Sequence, residues 1–340
     1  MNWNKEIRIC ETTIGEDNPI FIIAEAGVAH FGDLEKAFKL VDLAVDANAN
    51  AVKFQIYQTN ELISSISPEW RSRYRLKELK LEDIIKVKDY CIENNIIFLA
   101  TAHDELSLSH LDKLNVPAYK IGSGEVQNWP FLSKIARRKK PILLSTGMYT
   151  MDDIHIALEV ISAEDNHDVV LLQCTTAYPT PPNMVNLRAI NKFKETFGCI
   201  TGYSDHTAGY HFPLAAAALG AKVIEKHVAL DFNIPNAQDW KVSCGPQTFY
   251  RMINEIREIE KGLGTGEKKI QQLEGESLKW ARKSIIASVD IMPDEVVTAD
   301  KIRMKRPGTG IPPSKLEHVI GRKARSIITR DSLIMWEQLK

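Results

Sequence analysis

Eight short apolar runs recur along the first three quarters of the sequence, and helix-length amphipathic stretches separate them. The runs span residues 21–27, 51–57, 96–102, 118–124, 141–147, 169–176, 199–207 and 223–231. Strand and helix patterns that alternate eight times in this way predict an α/β fold, the (β/α)8 or TIM barrel.

Polar residues close nearly every run. They are Glu25, Lys53, Thr101, Lys120, Ser145, Thr175, His206 and His227. In TIM barrels the catalytic groups come from the carboxyl ends of several strands, so we expect these side chains to converge on one mouth.

The pattern changes after about residue 262. Residues 263–283 are glycine-rich and charged, which is typical of a linker, and residues 284–340 form short β-type pieces between turns. We therefore predict a barrel domain over residues 1–262, a linker, and a small, mostly β domain over residues 284–340. Residues 6–21 predict a hairpin that turns around Gly15, Glu16 and Asp17 and plugs the amino-terminal end of the barrel.

Charge and cysteine content limit the classes of partner. The sequence has 43 Lys plus Arg and 44 Asp plus Glu, a net charge of −1, so we expect neither nucleic acid nor a membrane as partner. The five cysteines show no C-x-x-C spacing, which is typical of a reducing compartment. The longest apolar stretch, residues 212–221, is about half a membrane span. These features predict a cytoplasmic protein.

Strand parity selects which polar side chains share a face, because residues two apart point the same way. Lys53 shares a strand face with Gln55, Lys120 with Gly122, Ser204 with His206, and Glu225 with His227. If these faces point into the barrel, Asp205 and Lys226 point away from it. Serine and glycine turns at residues 122–125 and 145–148 lie beside the lysines and offer backbone N–H groups, which predicts a compact polyanion as ligand.

The histidines on the last two strands predict a metal site. His206 and His227 can share one divalent cation, leaving other ligand positions to substrate or water, and that cation can polarise a carbonyl group. Cys174 is also near the expected mouth, but no histidine is near it in the predicted register, so we interpret it as a packing residue rather than a nucleophile.

Motifs along nearly the whole chain resemble those of the sialic acid synthase family, which includes N-acetylneuraminate, legionaminate and pseudaminate synthases. The motifs are AEAGVAHFGD, VKFQIY, YKIGSGE, LLSTGM, CTTAYPTPPNMVNL, GYSDHTAG, LGAKVIEKH and KRPGTGIPP, in that order. The carboxyl-terminal part resembles the antifreeze-like fold, or SAF domain.

The resemblance implies that phosphoenolpyruvate condenses with an amino-sugar aldehyde such as an N-acetylated mannosamine. His206 and His227 would hold the metal, with Mn²⁺ expected and Mg²⁺ or Co²⁺ as alternatives. Glu25 and Asp239 match acidic residues at the reacting centre. The substrate-binding positions implied are Lys53, Thr101, Lys120, Ser123, Ser145, Thr176 and Ser204, with Tyr178 and Glu125 on the sugar side.

The resemblance also implies a domain-swapped homodimer. Arg306 matches an arginine that enters the barrel of the neighbouring subunit, where a guanidinium suits the carbonyl of an acylated sugar nitrogen.

The sequence departs from the family pattern on the sugar side. Ala29 stands before His30 where the family has asparagine, and His103 ends a Thr-Ala-His run where the family has Thr-Pro-Phe. The family's Gly-Pro-Asp-His run reads Ala237, Gln238, Asp239 and Trp240. Trp240 predicts a less polar acceptor or simply packs under its loop. Two rival hypotheses are a Schiff-base pyruvate aldolase that uses Lys53, Lys120 or Lys226, and a carbohydrate-binding protein with an inactive barrel.

Overall fold

Eight parallel strands close into a barrel in the computed structural model, which describes residues 2–234, 237 and 239–340. The last strand pairs with the first, with His227 opposite Glu25, so the predicted TIM barrel is confirmed. The barrel strands are β3 (Phe21–Gly27), β4 (Ala51–Ile56), β5 (Ile97–Ala102), β6 (Tyr119–Ile121), β7 (Ile142–Ser145), β8 (Val169–Cys174), β9 (Ile200–Asp205) and β10 (Val223–His227).

Amphipathic helices surround the strands. In the first of them, the Asp33 side chain caps the amino terminus by accepting from the Lys36 N–H, and Leu40 and Val41 lie on its buried face. The helices of this unit are α1 (Leu34–Asp46), α2 (Thr59–Leu62), α3 (Pro68–Arg75), α4 (Leu81–Glu93), α5 (Glu105–Lys113), α6 (Trp129–Ala136), α7 (Met151–Ala163), α8 (Ala189–Phe197), α9 (His211–Ala218) and α10 (Pro246–Leu263). None of the described helices is both long and apolar enough to cross a membrane.

A hairpin precedes the barrel, as predicted, but its turn lies elsewhere. Strands β1 (Glu6–Ile9) and β2 (Thr12–Gly15) are antiparallel, and the chain reverses at Cys10, which has a φ of +52°, rather than around residues 15–17. The prediction was wrong because Gly15 ends a strand. Ile7, Ile9 and Ile14 pack in one buried cluster with barrel residues such as Phe21, and this packing fills the interior of the barrel.

Residues 265–340 form a second compact unit with its own core. Its elements are α11 (Gly275–Ala281), β11 (Ser284–Ala287), β12 (Ile302–Lys305) and α12 (Leu316–Val319), and the two strands pair in antiparallel fashion. The first of these helices lies in the stretch that the sequence suggested as a linker. Ile285, Val297 and Ile328 belong to the buried core of this unit.

Candidate functional site

A cavity of about 150 Å³ opens at the carboxyl ends of the barrel strands. The predicted site residues that line it are Glu25, Lys53, Thr101, Lys120, Ser123, Ser145, Thr176, Tyr178, Ser204, His206 and His227, joined by Gln55, His103 and Glu225. We call this space the donor pocket. Seven of the eight polar strand ends converge on this mouth as predicted, whereas Thr175 does not line it.

Two lysines and two glutamates form a buried charge cluster in the donor pocket. Lys53 Nζ lies 2.6 Å from Glu25 Oε2 and 3.6 Å from Glu225 Oε2, and Lys120 Nζ lies 3.2 Å from Glu225 Oε1. The Ser204 hydroxyl also donates to Glu225 Oε1, at 2.8 Å. Two ammonium groups are thus kept at the mouth in a place where an isolated charge would be costly.

The cluster shifts the pKa values of its members in different directions. Burial raises the pKa of Glu225, but the charges of Lys120 and Lys53 outweigh it and bring that pKa to about 2. Burial raises the pKa of Glu25 and prevails over Lys53. Burial also lowers the pKa of Lys120 despite Glu225, whereas Glu225 and Glu25 hold the pKa of Lys53 above its ordinary value against burial.

Hydroxyl groups from neighbouring strands gather around a glycine. The Gly147 N–H donates to Ser123 Oγ at 3.0 Å. A Cβ at Gly147 would lie 2.6 Å from Ser123 Oγ and closer still to Thr176 Oγ1, so only glycine leaves room for both hydroxyls here. Ser145 Oγ is buried and has no hydrogen-bond partner among the described residues. A ligand with several acceptor oxygens would use these donors.

The two histidines lie side by side at the mouth, with ring centroids 5.3 Å apart. His206 Nδ1 lies 2.8 Å from the Thr175 carbonyl oxygen, which fixes the proton on that nitrogen and leaves the lone pair on Nε2. The Tyr178 hydroxyl lies 2.9 Å from Nε2, the nitrogen through which His206 would bind a metal. Burial, assisted by the charge of His206, lowers the pKa of His227 far below its ordinary value.

These imidazoles fit the cation that the sequence predicts. Within residues 2–234, 237 and 239–340, no group of three or more His, Cys, Asp or Glu side chains is arranged to hold a metal ion. A divalent cation held by His206 and His227 would have to complete its coordination with substrate or water. A backbone carbonyl that orients one imidazole, as Thr175 does here, is a common outer-shell arrangement at metal sites.

A second cavity, of about 290 Å³, adjoins the donor pocket and shares Gln55, Thr176 and Tyr178 with it. We call it the acceptor pocket. Its other lining residues are Val28, Tyr57, Trp70, Arg73, Tyr74, Lys77 and Asp239. Burial raises the pKa of Asp239, and Lys77 opposes that shift. Aromatic walls beside a carboxylate are suited to the apolar faces and hydroxyl groups of a sugar.

Glu125, Thr175, Trp240 and Arg306, all named from the sequence, line neither cavity. Glu125 accepts from Asn128 Nδ2 at 2.6 Å, and the Trp240 indole N–H donates to the Ile234 carbonyl at 3.2 Å. Arg306 belongs to the second unit, where it is exposed and lies 5.1 Å from the centroid of the Trp280 ring.

The residues that depart from the family pattern lie in different parts of the structure. His103 lines the donor pocket, and burial together with the two lysines lowers its pKa to about 4. His30, which follows Ala29, is buried outside both cavities, and its Nδ1 accepts from the Gly32 N–H at 3.0 Å. Gln238 lies outside the described residues.

Strand parity succeeded for Asp205 and Lys226, whereas the interpretation of Cys174 from the predicted register was wrong. Lys226 and Asp205 form a fully buried ion pair of 2.5 Å and line neither cavity, as predicted. Cys174 Sγ, however, lies 3.5 Å from His206 Nδ1, so the expectation that no histidine is near it was wrong. Cys174 lies opposite Ser204 in the register of β8 and β9, and the backbone after β9 then places the His206 ring beside the cysteine.

Glu225 lines the donor pocket and is a candidate functional residue that sequence reasoning missed. It lies between the two pocket lysines, yet it was not among the predicted site residues. Its signal was present in the alternation of β10, where Glu225 shares the inward face with His227.

Lysines and histidines line a mouth at the carboxyl ends of a (β/α)8 barrel, and a small second domain follows in the sequence. This arrangement defines a (β/α)8-barrel enzyme. The chain belongs to the NeuB family, whose model matches residues 40–268, and its residues 282–340 match the SAF domain. The resemblance to sialic acid synthases is thereby confirmed.

Named relatives cover nearly the full chain. The N,N'-diacetyllegionaminic acid synthase of Campylobacter jejuni is 40% identical over 92% of this chain and 98% of its own length. The human N-acetylneuraminate-9-phosphate synthase is 32% identical over 98% of this chain and 96% of its own. The crystal structure of the N-acetylneuraminic acid synthetase of Leptospira borgpetersenii in complex with citrate is 34% identical. It has a TM-score of 0.76 and covers 82% of this chain and 96% of that one.

Proposed function

We propose that this protein is a nonulosonic acid synthase that condenses phosphoenolpyruvate with an N-acylated amino-sugar aldehyde and releases phosphate. The observation that carries the proposal is the donor pocket, in which Lys53 and Lys120 stand beside unpaired or converging hydroxyl groups in a small volume. Phosphoenolpyruvate is a compact polyanion of the kind that such a set of donors binds. The names of the relatives support the same class of product.

The proposed reaction forms one carbon–carbon bond, forms one carbon–oxygen bond to water, and breaks the carbon–oxygen bond to phosphate. The methylene carbon of phosphoenolpyruvate attacks the aldehyde carbon, and the aldehyde oxygen takes a proton and becomes a hydroxyl group. Water adds to the resulting oxocarbenium carbon, and the phosphate leaves from that carbon to give the α-keto acid.

The chain's own residues would bind, orient and transfer protons in this reaction. Lys53, Lys120 and Ser123 would hold the phosphate and carboxylate of the donor. Glu25, whose pKa burial raises, would accept the proton of the attacking water, and Asp239 would serve the sugar oxygen. A divalent cation, Mn²⁺ by preference, with Mg²⁺ or Co²⁺ as alternatives, would supply Lewis acidity for the aldehyde oxygen when bound to His206 and His227.

The direct test is phosphate release from phosphoenolpyruvate in the presence of a panel of N-acylated amino-sugar aldehydes. We expect release that depends on both substrates and on added Mn²⁺, with a keto acid product of matching mass. The lowered pKa of Lys120 favours the Schiff-base aldolase as a second candidate. Trapping of a pyruvate adduct on a lysine by borohydride, without phosphate release, would establish that candidate instead. The absence of both activities with every acceptor tested would support an inactive, carbohydrate-binding barrel.

Gly147→Ala should raise the Michaelis constant for phosphoenolpyruvate by about tenfold, because the new methyl group displaces the hydroxyls of Ser123 and Thr176 and weakens about one hydrogen bond. Gly124→Ala is the matched control, since Gly124 lines the donor pocket next to Ser123 and nothing lies within 4 Å of its added Cβ. Steady-state kinetics on both variants checks the expectation. Equal Michaelis constants in the two variants would contradict the role given to the converging hydroxyls.

We propose further that the protein is a domain-swapped homodimer in which Arg306 acts in the partner's barrel. Arg306→Ala should lower the rate about 10²- to 10³-fold if the guanidinium stabilises developing charge. A heterodimer of Arg306→Ala and Lys120→Met chains should recover activity, because one of its sites combines an intact barrel with an intact arginine. The two tagged variants are refolded together, and the separated heterodimer is assayed. An inactive heterodimer would place Arg306 outside a shared site.

A further inference from the structure

The segment between α3 and α4 is fixed against the loop that follows β3. Gly32 has a φ of +73°, and a Cβ there would lie 3.2 Å from the Leu76 carbonyl oxygen and 3.3 Å from that of Glu78. The Glu78 carboxylate accepts from the Thr59 N–H at 2.8 Å, and Leu79 is buried. The backbone around residue 77 therefore has little freedom to move.

Lys77 reaches from this segment into the acceptor pocket. Its ammonium group lies 5.5 Å from the centroid of the Phe31 ring, and its side chain lines the same cavity as Asp239 and Tyr178. Among the described residues, no carboxylate lies within ion-pairing distance of Lys77, in contrast to Lys53 and Lys120. A half-buried cation thus lines the space where the acceptor would bind, together with the Asp239 carboxylate.

We propose that Lys77 is an acceptor-binding residue that selects amino sugars carrying an oxygen within its reach. Its ammonium group donates to a hydroxyl or acyl carbonyl oxygen of the sugar, while Asp239 accepts from a second hydroxyl and the rings of Tyr57 and Tyr74 cover the apolar face. This inference rests on the proposed function and names how its acceptor is recognised.

Two further observations support Lys77 rather than the other cation of the pocket. Arg73 is exposed, and its guanidinium lies over Trp70, 5.4 Å from the ring centroid, at the rim. Lys77 is deeper, and its charge acts on Asp239 strongly enough to oppose the rise in the pKa of that carboxyl group. A donor in this position rejects an acceptor that lacks the matching oxygen, because the ammonium group would then be desolvated without compensation.

The test compares Lys77→Met with Lys77→Arg in steady-state kinetics on both substrates. Lys77→Met should raise the Michaelis constant for the acceptor about 10- to 100-fold and change that for phosphoenolpyruvate by less than about twofold. Lys77→Arg, which restores a charged donor, should recover most of the affinity for the acceptor. Lys80→Met is the matched control, because Lys80 is exposed three residues further along, lines neither cavity, and should leave both constants unchanged.

The outcomes separate this inference from the proposed function. If the parent protein releases phosphate but Lys77→Met keeps the acceptor constant, or raises both constants equally with a lower melting temperature, Lys77 is a structural residue and the inference is wrong. If the parent protein releases no phosphate with any acceptor, the proposed function itself fails, and this inference fails with it.

Discussion

Lys120→Met should weaken the binding of phosphoenolpyruvate about 10- to 100-fold, because one charge-assisted hydrogen bond to the donor contributes about 1.5–3 kcal/mol. Isothermal titration calorimetry measures this affinity independently of turnover. Binding of the acceptor should change much less, since Lys120 lines only the donor pocket. Lys53→Met should behave in the same way.

Lys120→Met also leaves the buried Glu225 carboxylate without its nearer ammonium partner, so the effect on binding must be separated from an effect on stability. Glu225 would retain Lys53 at 3.6 Å and the Ser204 hydroxyl, so the free energy of unfolding should fall by about 3–5 kcal/mol. The double variant Lys120→Met with Glu225→Gln removes that unpaired charge. It should regain most of the stability while phosphoenolpyruvate binding stays weak. Recovery of binding in the double variant would contradict the assignment of Lys120 as an anion-binding residue.

His206→Ala and His227→Ala should each nearly abolish turnover and strip the protein of tightly bound Mn²⁺. Each change removes one of two protein ligands, so the loss should exceed the 10- to 100-fold that changes in outer-shell partners cost. The measurements are metal content after dialysis, Mn²⁺ affinity by titration, and phosphate release.

Cys174→Ser is the matched control for the metal site. Its sulfur lies 3.5 Å from His206 Nδ1, but we assign it no ligand role, so the serine variant should keep its metal. Full activity of the parent protein after chelation, or normal metal content in both histidine variants, would disprove the two-histidine site.

The sequence predicted the fold and most of the mouth for the same physical reason. Strand and helix periods are local properties, and parity within a strand then decides which side chains share a face. Lys53 and His227 were found in this way, and so was the outward direction of Lys226. Nothing more distant than a neighbouring strand was needed for these assignments.

Features that depend on contacts between distant segments were not predictable. The hairpin turn at Cys10 depends on how Ile9 and Ile14 fit into the barrel, and the proximity of Cys174 to His206 depends on the path of the loop after β9. The position of Lys77 depends on a backbone contact at Gly32 that is separated from it by more than forty residues of sequence. No periodicity encodes a contact of this kind.

The two cavities are built from different kinds of structure, and this difference bears on how each of them can change in evolution. The donor pocket is built mostly from strand ends and the turns that follow them, where one substitution disturbs several neighbours, whereas Trp70, Tyr74 and Lys77 lie on or just after a short helix between two strands. With the acceptor bound as we propose, exchanging that helical segment would alter which sugar is accepted and leave the residues of the donor pocket in place. The proposed binding mode therefore predicts that the product can change through this one segment while the barrel strands stay the same.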